Sequence, residues 1–197
     1  FDYTEPLNDV KVFGQRSPNL LMNGNGENNV EGWTISSAFA SSPDAATLTH
    51  DGTDFILTNG TSGYSAALNK LATTLDGVGT VFFNAVNLAT GNKLQITVYV
   101  NAENTNPPAG FTYVTAGGYY IKALSATGQQ IYNFTGITSV KFDINSATDN
   151  LEAKFKHVQV LKGSYTLAEV QALGYQSYNP VVLHAVSDGS QMYYDKV

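Results

Sequence analysis

Three kinds of side chain in this sequence have the reach for chemistry: carboxylates, imidazoles and aromatic rings. Asp143, Asp149 and Glu152 lie close together along the chain. Two carboxylates facing each other across a sugar linkage would hydrolyse it, one as acid and one as base or nucleophile. Here they fall on a predicted strand and the turn after it, where Asp ordinarily serves turn geometry. His50, His157 and His184 are far apart, and none has a second His two or four residues away. The spacing that gathers metal ligands is therefore missing. The chain has no Cys, which excludes disulfides, thiolate metal sites and thiol catalysis. No Gly-x-Ser-x-Gly elbow or phosphate-binding loop is present. Gly24-x-Gly26 precedes no helix pattern and reads as a turn. The expectation is a protein that is not an enzyme.

The aromatic rings are the better ligand apparatus. Sugars lay their C–H faces on aromatic rings, and Asn or Gln side chains take their hydroxyls. Between Lys93 and Asn101 polar and apolar residues alternate strictly. Leu94, Ile96, Val98 and Val100 share one side, and Gln95, Thr97, Tyr99 and Asn101 the other, as in a half-buried strand. Tyr99 and Gln95 therefore point away from the core together. Tyr120 and Lys122 are expected on the same sheet face, while Tyr64 and Tyr113 fall in predicted loops. Tyr99, Gln95, Tyr120, Tyr64 and Tyr113 form the candidate ligand-binding set. The competing reading places these tyrosines in a subunit interface, where Tyr is also enriched. Trp33, at the start of a strand, reads as a core anchor rather than a sugar platform. Asn59-Gly60-Thr61 and Asn133-Phe134-Thr135 match glycosylation acceptors, which matter only in a chain secreted by a eukaryote.

The elements that position these residues are strands. Charged residues make up only 13% of the 197, about half the usual ~25%, and Gly, Asn, Ser and Thr replace them. Helix surfaces are normally filled with Glu, Lys, Gln and Arg, so the composition is that of short strands and frequent turns. The length suits one large β domain. Strands are predicted at Gly32–Ser36, Phe55–Leu57, Gly79–Val86, Lys93–Asn101, Tyr119–Leu124, Ser139–Ile144 and Leu151–Leu161. Pro107-Pro108 bars helix and ladder from the loop 102–110. One short helix is predicted after Thr166, with Glu169 completing a capping box, Leu167, Val170 and Leu173 on one face, and Gly174 as its stop. The formal net charge is −6 and the pI about 4.8. That balance argues against nucleic acid and against anionic membrane surfaces as partners. No apolar run is long enough to insert into a bilayer. Residues 1–18 read as a lead-in, 19–180 as the β domain, and 181–197 as an extension with two strand-like stretches. A first residue of Phe suggests a processed or cut-out chain, and its opening lacks the features of a signal peptide.

The opening Asn19-Leu20-Leu21, the Asn/Gly loop holding Asn23 and Glu27, and Gly32-Trp33-Thr34 resemble the start of galactose-binding-like carbohydrate-binding modules. Residues 91–102 look like the middle strand of that family, and 155–180 like its last strand and exit. Similar exits, with Gly163-Ser164 followed by Tyr175-Gln176-Ser177-Tyr178, occur in phage tail and receptor-binding proteins. The resemblance implies an all-β, jelly-roll sandwich with one short C-terminal helix. It implies a glycan-recognition or adhesion module of an extracellular or virion assembly. Its partner would be a cell-surface glycan or polysaccharide, and a homotrimer would be natural there. Two alternatives stand beside it: a purely structural sandwich that packs subunits or domains, and an ancillary module of a glycoside hydrolase. The family often holds a structural calcium between the early Glu and a carboxylate on the last strand. In this sequence Glu27 is present, but Lys156 and His157 stand at the equivalent strand positions. A cation supplies no oxygen ligand, which leaves Glu27 as the one candidate ligand for a structural calcium; an ion pair between Lys156 and Glu27 is the alternative to the metal, and no other cofactor is expected.

Overall fold

The computed structural model describes residues 19–36, 46–60, 64–87, 94–146, 148, 150–176 and 178, and the backbone of 182–185 and 192–195. The chain divides into two compact units, Pro18–Tyr178 and a smaller one of Phe1–Ser17 with Asn179–Val197. In the smaller unit, β12 (Val182–Ala185) and β13 (Met192–Asp195) form an antiparallel pair.

The larger unit contains β1 (Trp33–Ser36), β2 (Thr47–His50), β3 (Phe55–Thr58), β4 (Tyr64–Lys70), β5 (Val78–Asn87), β6 (Leu94–Val100), β7 (Thr112–Val114), β8 (Tyr119–Ala123), β9 (Gly128–Thr135), β10 (Ile137–Asn145), β11 (Glu152–Lys162) and α1 (Leu167–Leu173). Six strands pair in the order β1-β4-β10-β6-β8-β7 and five in the order β2-β3-β11-β5-β9. Among the described residues, the pairings within both sheets are antiparallel. The chain crosses between sheets from β4 to β5 to β6 and again from β9 to β10 to β11, giving the jelly-roll β-sandwich expected from the sequence.

One core fills the space between the sheets. Leu94, Ile96 and Val98 of β6 and Val140, Phe142 and Ile144 of β10 enter it from one side. Val81, Phe83 and Ala85 of β5 and Ala153, Phe155, Val158 and Val160 of β11 enter from the other. The sheets meet where Phe142 stacks on Phe155, with ring centroids 4.0 Å apart and planes 16° from parallel. Trp33 is 8% exposed and lies against Phe55, Phe142 and Phe155, as its core-anchor reading required. Its indole N–H donates to the carbonyl of Asn23 at 3.2 Å, the polar partner a buried Trp needs.

A bulge on β11 changes which residues face in. Pairing with β5 slips between Lys156 and Gln159, and His157 has a φ of 53°. Before the slip the odd-numbered Ala153 and Phe155 face the core, and after it the even-numbered Val158 and Val160 do. A one-residue insertion has that effect because side chains alternate with period two.

Four strands exceed the sequence reading. β2 and β7 are very short. β4 carries the small pair Ala66 and Ala67, both fully buried, although Ala is a weak strand former. β9 places Tyr132 and Phe134 inward between Gln and Asn residues. The helix has its capping box: Thr166 Oγ1 accepts from the Glu169 N–H at 3.3 Å, and Glu169 Oε2 accepts from the Thr166 N–H at 2.8 Å. Its expected face is only partly right, since Val170 is buried but Leu173 is 42% exposed.

Candidate functional site

The six-stranded sheet turns one face to the core and the other outward. Cross-strand register builds the outer face in rows. Lys70, Ser139, Tyr99 and Tyr119 follow one another across β4, β10, β6 and β8. The next row runs Leu68, Lys141, Thr97 and Ile121, and the third Ala66, Asp143, Gln95 and Ala123. Strands stand about 4.8 Å apart, so side chains within a row are direct neighbours.

The floor of this face is polar and closely bonded. Asp143 is 1% exposed, although it points away from the core between Phe142 and Ile144. Lys141 Nζ lies 2.6 Å from its Oδ1, and the Thr97 hydroxyl donates to Oδ2 at 2.9 Å. A carboxylate this enclosed requires such partners, because an uncompensated buried charge is costly. The Lys141 ammonium also lies 5.9 Å from the Tyr119 ring centroid. Tyr99 and Tyr119 pack with centroids 5.1 Å apart; both are half-buried, as is Gln95 two rows away on the same face. The result is two phenol rings and an amide next to an ion pair with little freedom to rearrange.

The predicted ligand set divides. Tyr99 and Gln95 share the outer face. Tyr120 corrects the expectation: it sits opposite Val98, is 1% exposed and faces the core. Its hydroxyl accepts the Asn104 N–H at 2.7 Å and donates to the Asn104 carbonyl at 3.1 Å, clasping the loop 101–110 to the sandwich. Tyr113 is on β7 rather than in a loop, opposite Tyr120 and packed against it at 4.8 Å on the core side. Tyr64 begins β4 rather than a loop; its side chain lies outside the described residues. Lys122 also differs, because it shares the inward parity of Tyr120. Its ammonium donates to the Ala109 carbonyl and lies 4.6 Å from the Tyr132 ring. Sequence reasoning missed Tyr119, Lys141 and Asp143 as members of one group. A signal existed, since Tyr120 is spaced by four from the apolar Leu124, and that parity sends Tyr119 outward.

The other candidates are dispersed. Asp143 belongs to the six-stranded sheet and Glu152 to the five-stranded one, while Asp149 lies outside the described residues. Glu27 is exposed in its loop and accepts the Asn25 N–H at 3.3 Å. Lys156 pairs with Asp54 at 3.1 Å, so the ion pair expected with Glu27 is replaced. Among the described residues no group of three His, Cys, Asp or Glu side chains is placed to hold a metal ion. Burial, and then the nearby Glu27 charge, push the Tyr175 hydroxyl far above its ordinary value. Asn59 is no glycan acceptor in the fold: it is fully buried, with its amide donating to the Thr148 carbonyl and accepting from the Leu151 N–H.

No family model matches the chain, and no curated protein does. Among solved structures it is similar to the enzymatically active domain of bacteriophage CBA120 tailspike protein 4, with a TM-score of 0.49 and 16% identity over 73% of this chain. The likeness covers 22% of that chain, so this protein matches about a fifth of it. It is similar to the K3 cleaved adhesin domain of Lys-gingipain from Porphyromonas gingivalis, with a TM-score of 0.46, 13% identity, and 74% of this chain on 98% of that one. A carbohydrate-binding module of family 4 has a TM-score of 0.44 and 14% identity, with 75% of this chain on 97% of that one.

Proposed function

We propose that the outer face of the six-stranded sheet is a glycan-recognition surface, and that the protein is a non-catalytic binding or adhesion module. The observation that carries this reading is the placement of Tyr99, Tyr119 and Gln95 around the Lys141–Asp143–Thr97 floor. The rings supply stacking surface, the Gln95 amide and the tyrosine hydroxyls supply hydrogen bonds, and the ion pair fixes the floor beneath them. Such a face binds weakly at each site. Useful affinity then comes from several copies acting together, which suits a trimer on a virion, a phage tail fibre or a cell surface. The likeness to a carbohydrate-binding module, an adhesin domain and a tailspike agrees with that setting but carries no part of the argument.

The test is a glycan array probed with the native protein and with Tyr99→Ala and Tyr119→Ala, each with and without calcium. Binding that both variants lose while keeping their fold supports the proposal. A requirement for calcium would add a structural metal to it. Silence from the folded native protein, with Tyr99 and Tyr119 shielded in its native oligomer, would sink it in favour of the structural reading.

A further inference from the structure

The sequence contains three Asn-Gly dipeptides: Asn23-Gly24, Asn25-Gly26 and Asn59-Gly60. In such a pair glycine leaves the backbone free to rotate, and its amide nitrogen can reach the Asn side-chain carbon. The deprotonated Gly nitrogen bonds to Cγ, the C–Nδ2 bond breaks, and ammonia leaves. Water then opens the cyclic imide at either carbonyl, leaving Asp or isoaspartate. Water is the sole co-reactant and nothing is oxidised or reduced.

We propose that Asn25 is a site of spontaneous deamidation in the folded protein, and that the fold protects Asn23 and Asn59. Asn23 is 5% exposed. Its amide donates to the carbonyls of Asn29 and Glu31 at 3.0 and 2.8 Å and accepts the Asn28 N–H at 2.9 Å. Asn59 is fully buried and held from both ends, by the Thr148 carbonyl at 2.8 Å and the Leu151 N–H at 2.7 Å. For either to react, these bonds must first open. Asn25 is different. It is partly exposed, and its Oδ1 is buried without a hydrogen-bond partner. The attacking nitrogen is held only by a 3.4 Å bond from the Gly26 N–H to the Asn23 carbonyl, long for such a bond. Among the described residues no hydrogen bond holds this side chain away from Gly26.

The product adds one negative charge two residues from Glu27. The loop also lies against His50: a Cβ built on Gly26 would collide with the His50 ring. That ring accepts the Gly52 N–H on Nδ1, so its proton belongs on Nε2, which has no partner. The new charge therefore forms one residue from a glycine that packs on an unsatisfied donor.

Native protein is incubated at mildly alkaline pH and digested, and the peptides are read by mass spectrometry for the replacement of NH2 by OH and for isoaspartate. A second sample is incubated in denaturant. In the native sample Asn25 should convert at least about tenfold faster than Asn23 and Asn59, because each of those must first lose its hydrogen bonds. In denaturant the three should react at similar rates. Asn25→Gln should abolish the acidic isoform seen on ion exchange. The proposal is overturned if Asn25 stays intact in native protein while it converts in denaturant, or if Asn23 or Asn59 keeps pace with it in the fold.

Discussion

The two sheets of the sandwich treat their outer faces differently. Across the five-stranded sheet the chain lays a strap of its own, from Gly163 through α1 to Tyr178. Val170 is buried against Phe82 and Leu161, with Ile131, Tyr165 and Leu167 around them. Beyond the helix, the Gln176 N–H donates to the buried Gln159 side chain at 3.0 Å, and the Gln176 carbonyl accepts from Asn19 at 3.0 Å. The outer face of the six-stranded sheet has no such helix among the described residues. It invests instead in a Lys–Asp–Thr network and a tyrosine pair. Apolar burial against a helix closes a face at little polar cost. A satisfied polar floor keeps a face rigid. The contrast is between a face closed by an apolar helix contact and one held by a polar network.

That contrast can be attacked at each side. The largest effect is expected at Asp143→Ala in the six-stranded sheet, which removes the carboxylate that the Lys141 ammonium and the Thr97 hydroxyl both meet. A loss of about 2–3 kcal/mol in denaturant unfolding is expected, below the 3–5 of a fully buried pair because Lys141 retains a path to water. Adding Lys141→Met should recover most of it. If the single and double variants are equally destabilised, the floor is packing rather than a charge network. On the closed face, Val170→Ala should cost roughly 1–2 kcal/mol, and hydrogen exchange should rise first in 163–176. Exchange that rises evenly over the sandwich would mean the strap is not a separate layer. Thr166→Ala removes the helix cap and should cost about 1 kcal/mol. Hydrogen bonds from Thr166 hold the Glu169 carboxyl below its ordinary 4.5. Its contribution is therefore present above that value and is lost as pH falls through the folded value. Acid fraying of α1, followed by amide exchange, should be much weaker in Glu169→Gln. The smallest effect concerns His157, which lies beside the strap residue Tyr175 at 5.5 Å. Burial, with help from Lys156, holds its imidazole below 6.5. The unfolded chain takes up that proton first as pH drops, so stability should fall from about 6.5 downward. A denaturation midpoint compared at about pH 8 and pH 5 should drop less in His157→Gln than in the native protein.

How much of this was legible in the sequence follows from period and turn chemistry. The strands with strict alternation, above all Leu94–Val100, were readable because one face is buried throughout. The capping box and Trp33 were readable for local reasons: each carries its own signature within a few residues. What escaped was set by register between distant strands. Whether Tyr119 or Tyr120 faces outward is set by pairing with β6, and along the chain only the parity of Tyr120 with Leu124 points to it. The Lys141–Asp143–Thr97 floor joins β10 to β6 across a separation of more than forty residues, which no window along the chain contains. Ala66 and Ala67 concealed β4, since small residues in a strand are chosen by the space left to them rather than by strand preference. The Lys156–Asp54 pair likewise depended on where the last strand met β3.

The bulge at His157 gives β11 two reading frames. Upstream of it the odd residues are core, downstream the even ones, and the residue in the left-handed conformation is the hyphen between them. A deletion of His157 would not shorten the strand harmlessly. It would restore a single frame, and one of the two halves would then present its apolar side chains to the wrong face. Length changes at this position are therefore closed to the protein, while the same change in an exposed turn such as Thr105–Asn106 leaves every frame intact. The bulge is a punctuation mark whose position, more than the identity of the residue occupying it, carries the meaning.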